Sequence, residues 1–186
     1  VFSVNFIYPP LGLDDVLILE HLDDFISRDA NLPGDISTMF TKNFRLLKYG
    51  PVSYLFNSLG GGIFSVGGIN ILRNGPLNKM QKNILKTFEF IGENGIDEED
   101  LNQYRKFKLL ENYIDGYSYG SIAYKLGNAE IYYDSYRDYN RDIEILENLS
   151  NEDIKRVVST YLISDNMITV HATINEKRWY TPLTSF

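Results

Sequence analysis

The chain has 186 residues, 44% of them hydrophobic, which suits one domain with a sizeable core and excludes a disordered tail. Its 25 acidic and 18 basic side chains leave a net charge of −7, and no Lys/Arg cluster forms a stripe to neutralise a phosphate backbone, so no nucleic-acid partner is expected. Cysteine is absent, which removes disulfides, thiolate metal sites and cysteine nucleophiles together, and no apolar run reaches the roughly 20 residues needed to cross a bilayer, so no membrane partner is expected.

The chain opens on Val1 without an initiator Met or a charged-then-apolar leader, and we expect a piece of something longer. Residues 1–8 alternate and are rich in β-formers until Pro9 and Pro10 withdraw their amide donors, which predicts an opening strand. Asp14 and Asp15 then lead a helix whose apolar stripe runs through Val16, Leu19, Leu22 and Phe25 or Ile26. After a loop around Pro33-Gly34, residues 37–47 read as a short second helix. Two strand-like runs, 52–59 and 63–73, are joined by Gly60-Gly61-Gly62, which permits positive φ and a tight hairpin.

Pro76 suits the first position of a helix carrying Leu77, Met80, Ile84, Phe88 and Ile91, which ends near Asn94-Gly95. Asp97 caps the next helix, with Ile96 and Leu101 placed as a hydrophobic staple, and that helix is expected to reach about Tyr117. Gly116 and Gly120 weaken it there, so residues 121–133 form a further helix or a continuation after a kink. A helix over 147–162 repeats the start signal, Leu149 stapling to Ile154 around Ser150 and Asp153. Last comes a strand over 167–174, with Ile168, Val170, Ala172 and Ile174 expected to face the core. Strands joined by a hairpin predict an α+β fold: a mostly antiparallel or mixed sheet with helices packed on one face. Residues 1–174 form this single domain, and 175–186 a tail in which Trp179-Tyr180 is either a linker start or a docking segment.

Most chemical motifs fail on inspection. The glycines at 60–62 and 67–68 lack the Lys and Ser/Thr of a phosphate loop, no G-x-S-x-G elbow occurs, and Asn148-Leu149-Ser150 is better used as a helix cap than as a glycosylation site. The Tyr-rich stretch from Tyr113 to Tyr139 serves either helix packing or an amphipathic contact surface. His171 falls on the polar side of its strand and reads as a solvated histidine. On the first helix, Leu17-Ile18-Leu19-Glu20-His21 has the spacing of H-x-x-E-H, in which two histidines hold zinc and a glutamate polarises the attacking water. Leu17 replaces the first histidine, and one imidazole does not make a catalytic zinc site of about three protein ligands. Taken alone, Glu20-His21 reads as surface chemistry. Were a zinc to be held, Glu20, His21, His171 and Glu98 would be its candidates.

In this order the pieces resemble the non-catalytic homology domain of the zinc peptidases that include insulinase, pitrilysin and the mitochondrial processing peptidase. The stretch Phe6 to Phe25 is similar to that family's opening strand and degenerate zinc helix. Ser37-Thr38-Met39-Phe40-Thr41-Lys42-Asn43-Phe44-Arg45, followed by Gly50 and Ser53-Tyr54, resembles its S-x-L-F-x-x-L-R pattern and the strand beyond. Gly95-Ile96-Asp97-Glu98-Glu99-Asp100-Leu101 and the capped helix from Leu149 to Tyr161-Leu162 resemble its two later motifs. The resemblance implies a zinc-free domain, inactive alone, that closes a clamshell over peptide substrate. It implies no cofactor in this chain, zinc in a catalytic domain of the same polypeptide or of a partner subunit, and substrate-binding roles for Arg45 and Tyr54. A guanidinium donates to a peptide carbonyl and a phenol to a developing oxyanion. The alternative is a structural or assembly subunit of the same fold with no peptidase role.

Overall fold

The computed structural model describes residues 2–28, 47–58, 60–70, 77–132 and 135–171. The expected helix over 37–47 lies outside these residues except for Leu47, as do Arg45, Pro76, Ala172, Ile174 and the tail 175–186.

Strand β1 (Phe2–Tyr8) leads into helix α1 (Leu13–Arg28). A hairpin of β2 (Leu47–Ser58) and β3 (Gly61–Asn70) follows. Helices α2 (Leu77–Asn94), α3 (Glu98–Asp115) and α4 (Tyr119–Tyr132) come next. A 3-10 turn at Tyr136–Asn140 enters α5 (Arg141–Asn148), then α6 (Asn151–Tyr161) and β4 (Met167–His171) complete the order. The sheet order is β2-β3-β1-β4 and every described pairing is antiparallel, so the chain is α+β as expected.

The hairpin is tighter than the three glycines suggest: Gly60 stands in the turn while Gly61, at φ +121°, and Gly62 already belong to β3. A Cβ on Gly61 would lie 2.5 Å from the Tyr8 carbonyl oxygen, and one on Gly62 would collide with the Tyr8 ring. Glycine is therefore required there to let β3 close on β1. Strand β2 begins at Leu47, earlier than expected, because bulges between Leu47 and Val52 carry the ladder through Gly50-Pro51.

Alternation turns Val4, Phe6 and Tyr8 of β1, and Phe64 and Val66 of β3, toward the helices. Phe88 of α2 meets Phe6 and Phe64 edge-on, with centroids at 5.3 and 5.9 Å. Strand β4 reverses the expected polarity. Its register sets Ile168 opposite Asn5 and Val170 opposite Ser3, so both apolar side chains are exposed on the helix-free face, while Thr169 and Met167 follow buried Val4 and Phe6. His171 is exposed as expected.

Both staples and caps form. The Asp97 carboxylate accepts from the Glu99 and Asp100 amides at 2.9 and 3.3 Å, with Ile96 and Leu101 buried beside it. Ser150 and Asp153 make a reciprocal capping box with Leu149 and Ile154 buried. This cap divides the helix expected over 147–162, leaving Glu147 and Asn148 at the end of α5. Asn151 then fastens α6 to the α2–α3 corner: its side chain accepts from the Ile96 amide at 2.7 Å and donates to the Ile96 carbonyl at 2.9 Å. Gly95, at φ +78°, brings the backbone close enough for this, since a Cβ there would strike the Asn151 amide.

Phe88→Ala removes the ring that joins both central strands to α2, and chemical denaturation should show a loss of about 3–5 kcal/mol. A loss below about 1 kcal/mol would contradict this central position.

Candidate functional site

Helix α1 is buried far beyond one stripe. Leu17, Ile18, Leu19, Leu22, Phe25 and Ile26 are all buried, and so is His21, only 3% exposed. This corrects the surface reading of Glu20-His21. The histidine lies between helices, and what holds it there comes from residues more than eighty positions away.

Four helices bring a polar cluster together at this point. From α3, the Tyr104 hydroxyl lies 3.1 Å from His21 Nδ1 and donates to Asp24 Oδ2 at 3.1 Å. A phenol has one proton, so with that proton on Asp24 the His21 Nδ1 is the donor to Tyr104. On the opposite edge of the ring, Nε2 stands 3.0 Å from Asp142 Oδ1 of α5, off the direction of a good hydrogen bond. Lys108 pairs with Asp24 at 3.0 Å and with Glu111 at 3.3 Å, and Lys125 of α4 donates to Asn112 Oδ1 at 2.7 Å. The cluster lines a cavity of about 230 Å³ with Glu20, Asn128 and Tyr139. Burial raises the Asp142 carboxyl, but the His21 contact and the charges of Lys108 and Lys125 outweigh it and hold the group below its ordinary value.

The start of α1 is fastened as well. Arg141 grips both Asp14 oxygens at 2.9 and 2.7 Å, while Asp15 receives Arg156 at 2.7 Å and the Tyr161 hydroxyl at 2.7 Å. These first-turn acids also face the positive end of the helix dipole.

The zinc of a catalytic copy does not fit here. Leu17, fully buried, occupies the slot of the first ligand, and the two nitrogens of His21 face Tyr104 and Asp142. Among the described residues no three His, Cys, Asp or Glu side chains are grouped to hold a metal ion. The two substrate-binding candidates are not brought together within the described residues: Tyr54 sits in β2 with its backbone opposite Ser65 of β3, and Arg45 lies outside them. Sequence reasoning missed Tyr104, Lys108 and Asp142. The available signal was a row of hydrogen-bonding residues, Tyr104, Lys108 and Asn112, spaced by four along the inner side of α3.

No family model and no curated relative matches this sequence. Solved structures do. The chain is similar to the inactive peptidase domain of a proposed zinc protease from Bordetella parapertussis, with 16% identity, TM-score 0.74, and 98% of this chain and 96% of that one covered. It is similar to a peptidase M16 inactive domain from Pseudomonas fluorescens, with 17% identity, TM-score 0.65, and 90% and 39% covered. It is also similar to the periplasmic protease PqqL from Escherichia coli, with 18% identity, TM-score 0.69, and 90% and 18% covered. At these identities the likeness is one of fold. The fold is that of inactive peptidase domains, in line with the resemblance carried by the motifs, and the chain spans under half the length of the latter two structures.

Because the folded Asp142 carboxyl lies below its ordinary value of 3.8, the unfolded chain takes up the proton more readily. Its contribution to stability is therefore present above about pH 4 and is lost as pH falls through the folded value. Asp142→Asn should cost about 1–2 kcal/mol at pH 7, the side chain being partly open to solvent, and the gap to wild type should close in urea titrations near pH 3. A gap that stays constant across that range would show that Asp142 makes no such contribution.

Proposed function

We propose that this chain is the zinc-free domain of an insulinase-like or pitrilysin-like zinc metallopeptidase, which closes over an extended peptide and helps hold it for a separate zinc-bearing domain. The observation that carries this reading is the state of the α1 motif. In a fold shared with inactive peptidase domains, the first ligand slot holds a fully buried leucine and the second position is a histidine engaged by Tyr104 and Asp142. The chain's coverage of only 39% and 18% of two of its structural neighbours fits a unit that works beside others. On this reading the catalytic domain is either in the same polypeptide or in a partner subunit, and zinc resides there.

The chain's own part is positioning. Arg45 would donate to a substrate carbonyl while remaining charged, and the Tyr54 phenol would donate to the oxyanion that develops as water attacks. Both act by orienting a peptide toward chemistry performed elsewhere, so their effect is absent without the catalytic partner.

After metal-free dialysis and readdition, elemental analysis should find no tightly held zinc in the purified chain. One zinc per chain would overturn the reading. Mixed with the zinc-bearing domain encoded by the same or a neighbouring gene, the chain should restore peptide cleavage. Tyr54→Phe should then lower kcat on the order of a hundredfold, and Arg45→Ala should raise KM by about tenfold. A complex that assembles but cleaves nothing would favour the structural-subunit alternative.

A further inference from the structure

We propose that the cavity lined by α1, α3, α4 and α5 is a binding site for a small zwitterion, a free α-amino acid, held with its carboxylate against α4 and its ammonium group between α1 and α5. The cavity measures about 230 Å³. That is below the roughly 300 Å³ at which pockets for drug-sized ligands begin, so its occupant is small. Tyr139, at 38% exposure, lines it and leaves it open to solvent. This inference does not rest on the peptidase reading.

Pairing within the cluster leaves two opposite charges over. Lys108 is engaged by Asp24 and Glu111. Lys125 makes no ion pair among the described residues, and its one hydrogen bond goes to a neutral amide, that of Asn112. Asp142 has His21 beside it but no lysine or arginine in contact among the described residues. The Lys125 charge helps to hold the Asp142 carboxyl below its ordinary value, so the two sense each other across the cavity without meeting. A ligand charged at both ends satisfies both groups. A lone anion would face Asp142 and Glu20, and a lone metal ion would face Lys125 and find no group of three ligands among the described residues.

Neutral groups complete each end. Asn128 stands three residues beyond Lys125 on α4, and its side chain makes no hydrogen bond among the described residues. One helix face thus offers a carboxylate both a cation and an N–H donor. At the other end His21 Nε2, in a side chain 3% exposed, has no hydrogen-bond partner and lies 3.0 Å from Asp142 Oδ1. With Nδ1 donating to Tyr104, the neutral ring presents Nε2 as an acceptor. Two acceptors this close call for a donor that reaches both, and an ammonium group with three N–H bonds is one.

The 186-residue chain, titrated separately with glycine, L-alanine and L-serine, should show in NMR spectra a saturable shift of the His21 ring signals. For at least one of the three the dissociation constant should be on the order of 1 mM. His171, exposed on β4, should stay in place and serves as the internal control. Acetate and ethylammonium, each carrying one charge only, should not reproduce the shift. Lys125→Met should weaken binding more than about tenfold and Asn128→Ala by about threefold or more, with the far-UV circular dichroism unchanged because both side chains are only partly buried. No saturable shift from any of the three at about 10 mM, the same shift with acetate or ethylammonium, or an affinity indifferent to Lys125→Met would each overturn the proposal.

Discussion

The burial of α1 on nearly all sides is the constraint from which the rest of the arrangement follows. The sheet takes one side, where α1 runs along β2, while α3, α5 and α6 close the others. A helix so enclosed has almost no position for a free polar group, and each one it keeps must be matched. Its six buried apolar residues need no partner beyond packing. His21, Asp24, Asp14 and Asp15 find theirs on three other helices: Tyr104 and Lys108 on α3, Arg141 on α5 and Arg156 on α6. The helical layer is thereby registered against α1 by directional contacts as well as by volume.

That design accounts for which features were legible in the sequence. Caps and staples are local, set by residues within about five positions of one another, and both the Asp97 cap and the Ser150–Asp153 box formed where the spacing placed them. The glycine hairpin was legible for the same reason, although the reach of Tyr8 over Gly61 and Gly62 was not, because it depends on the β1–β3 register. The reversed polarity of β4 is a register effect too: a strand alternates, but only its neighbour decides which set points inward. The stripe expected on α1 holds at Leu19, Leu22, Phe25 and Ile26, but it is narrower than the buried surface, which also takes in Leu17, Ile18 and His21 because several layers enclose the helix.

The candidate site divides along the same line. That α1 carries a degenerate H-x-x-E-H was visible in five residues, and with it the loss of a ligand at Leu17. The fate of the remaining histidine was not, because Tyr104 and Asp142 lie 83 positions and more beyond it in the chain and reach it only through the packing of α3 and α5. A lone imidazole beside a glutamate gives no local sign of whether it is bathed in water or enclosed.

Positions i and i+4 of a helix lie one above the other on a single face, which is what lets two histidines reach one metal ion. The same geometry constrains what replaces them. When that face is turned into the protein, leucine at the first position contributes apolar burial without a lone pair to satisfy, whereas a histidine there would demand a buried partner. The second position borders Asp142 of α5 and Tyr104 of α3, so an imidazole there has a carboxylate on one edge and a hydroxyl on the other. Restoring a ligand at Leu17 would therefore not by itself rebuild a zinc site. His21 would have to give up Tyr104 and Asp142, and Lys108 would lose the ordered carboxylate that Tyr104 helps to hold, before either nitrogen could turn to a metal. The polar clasp that stabilises this helix against its neighbours is also what sets the fold against metal chemistry at that face.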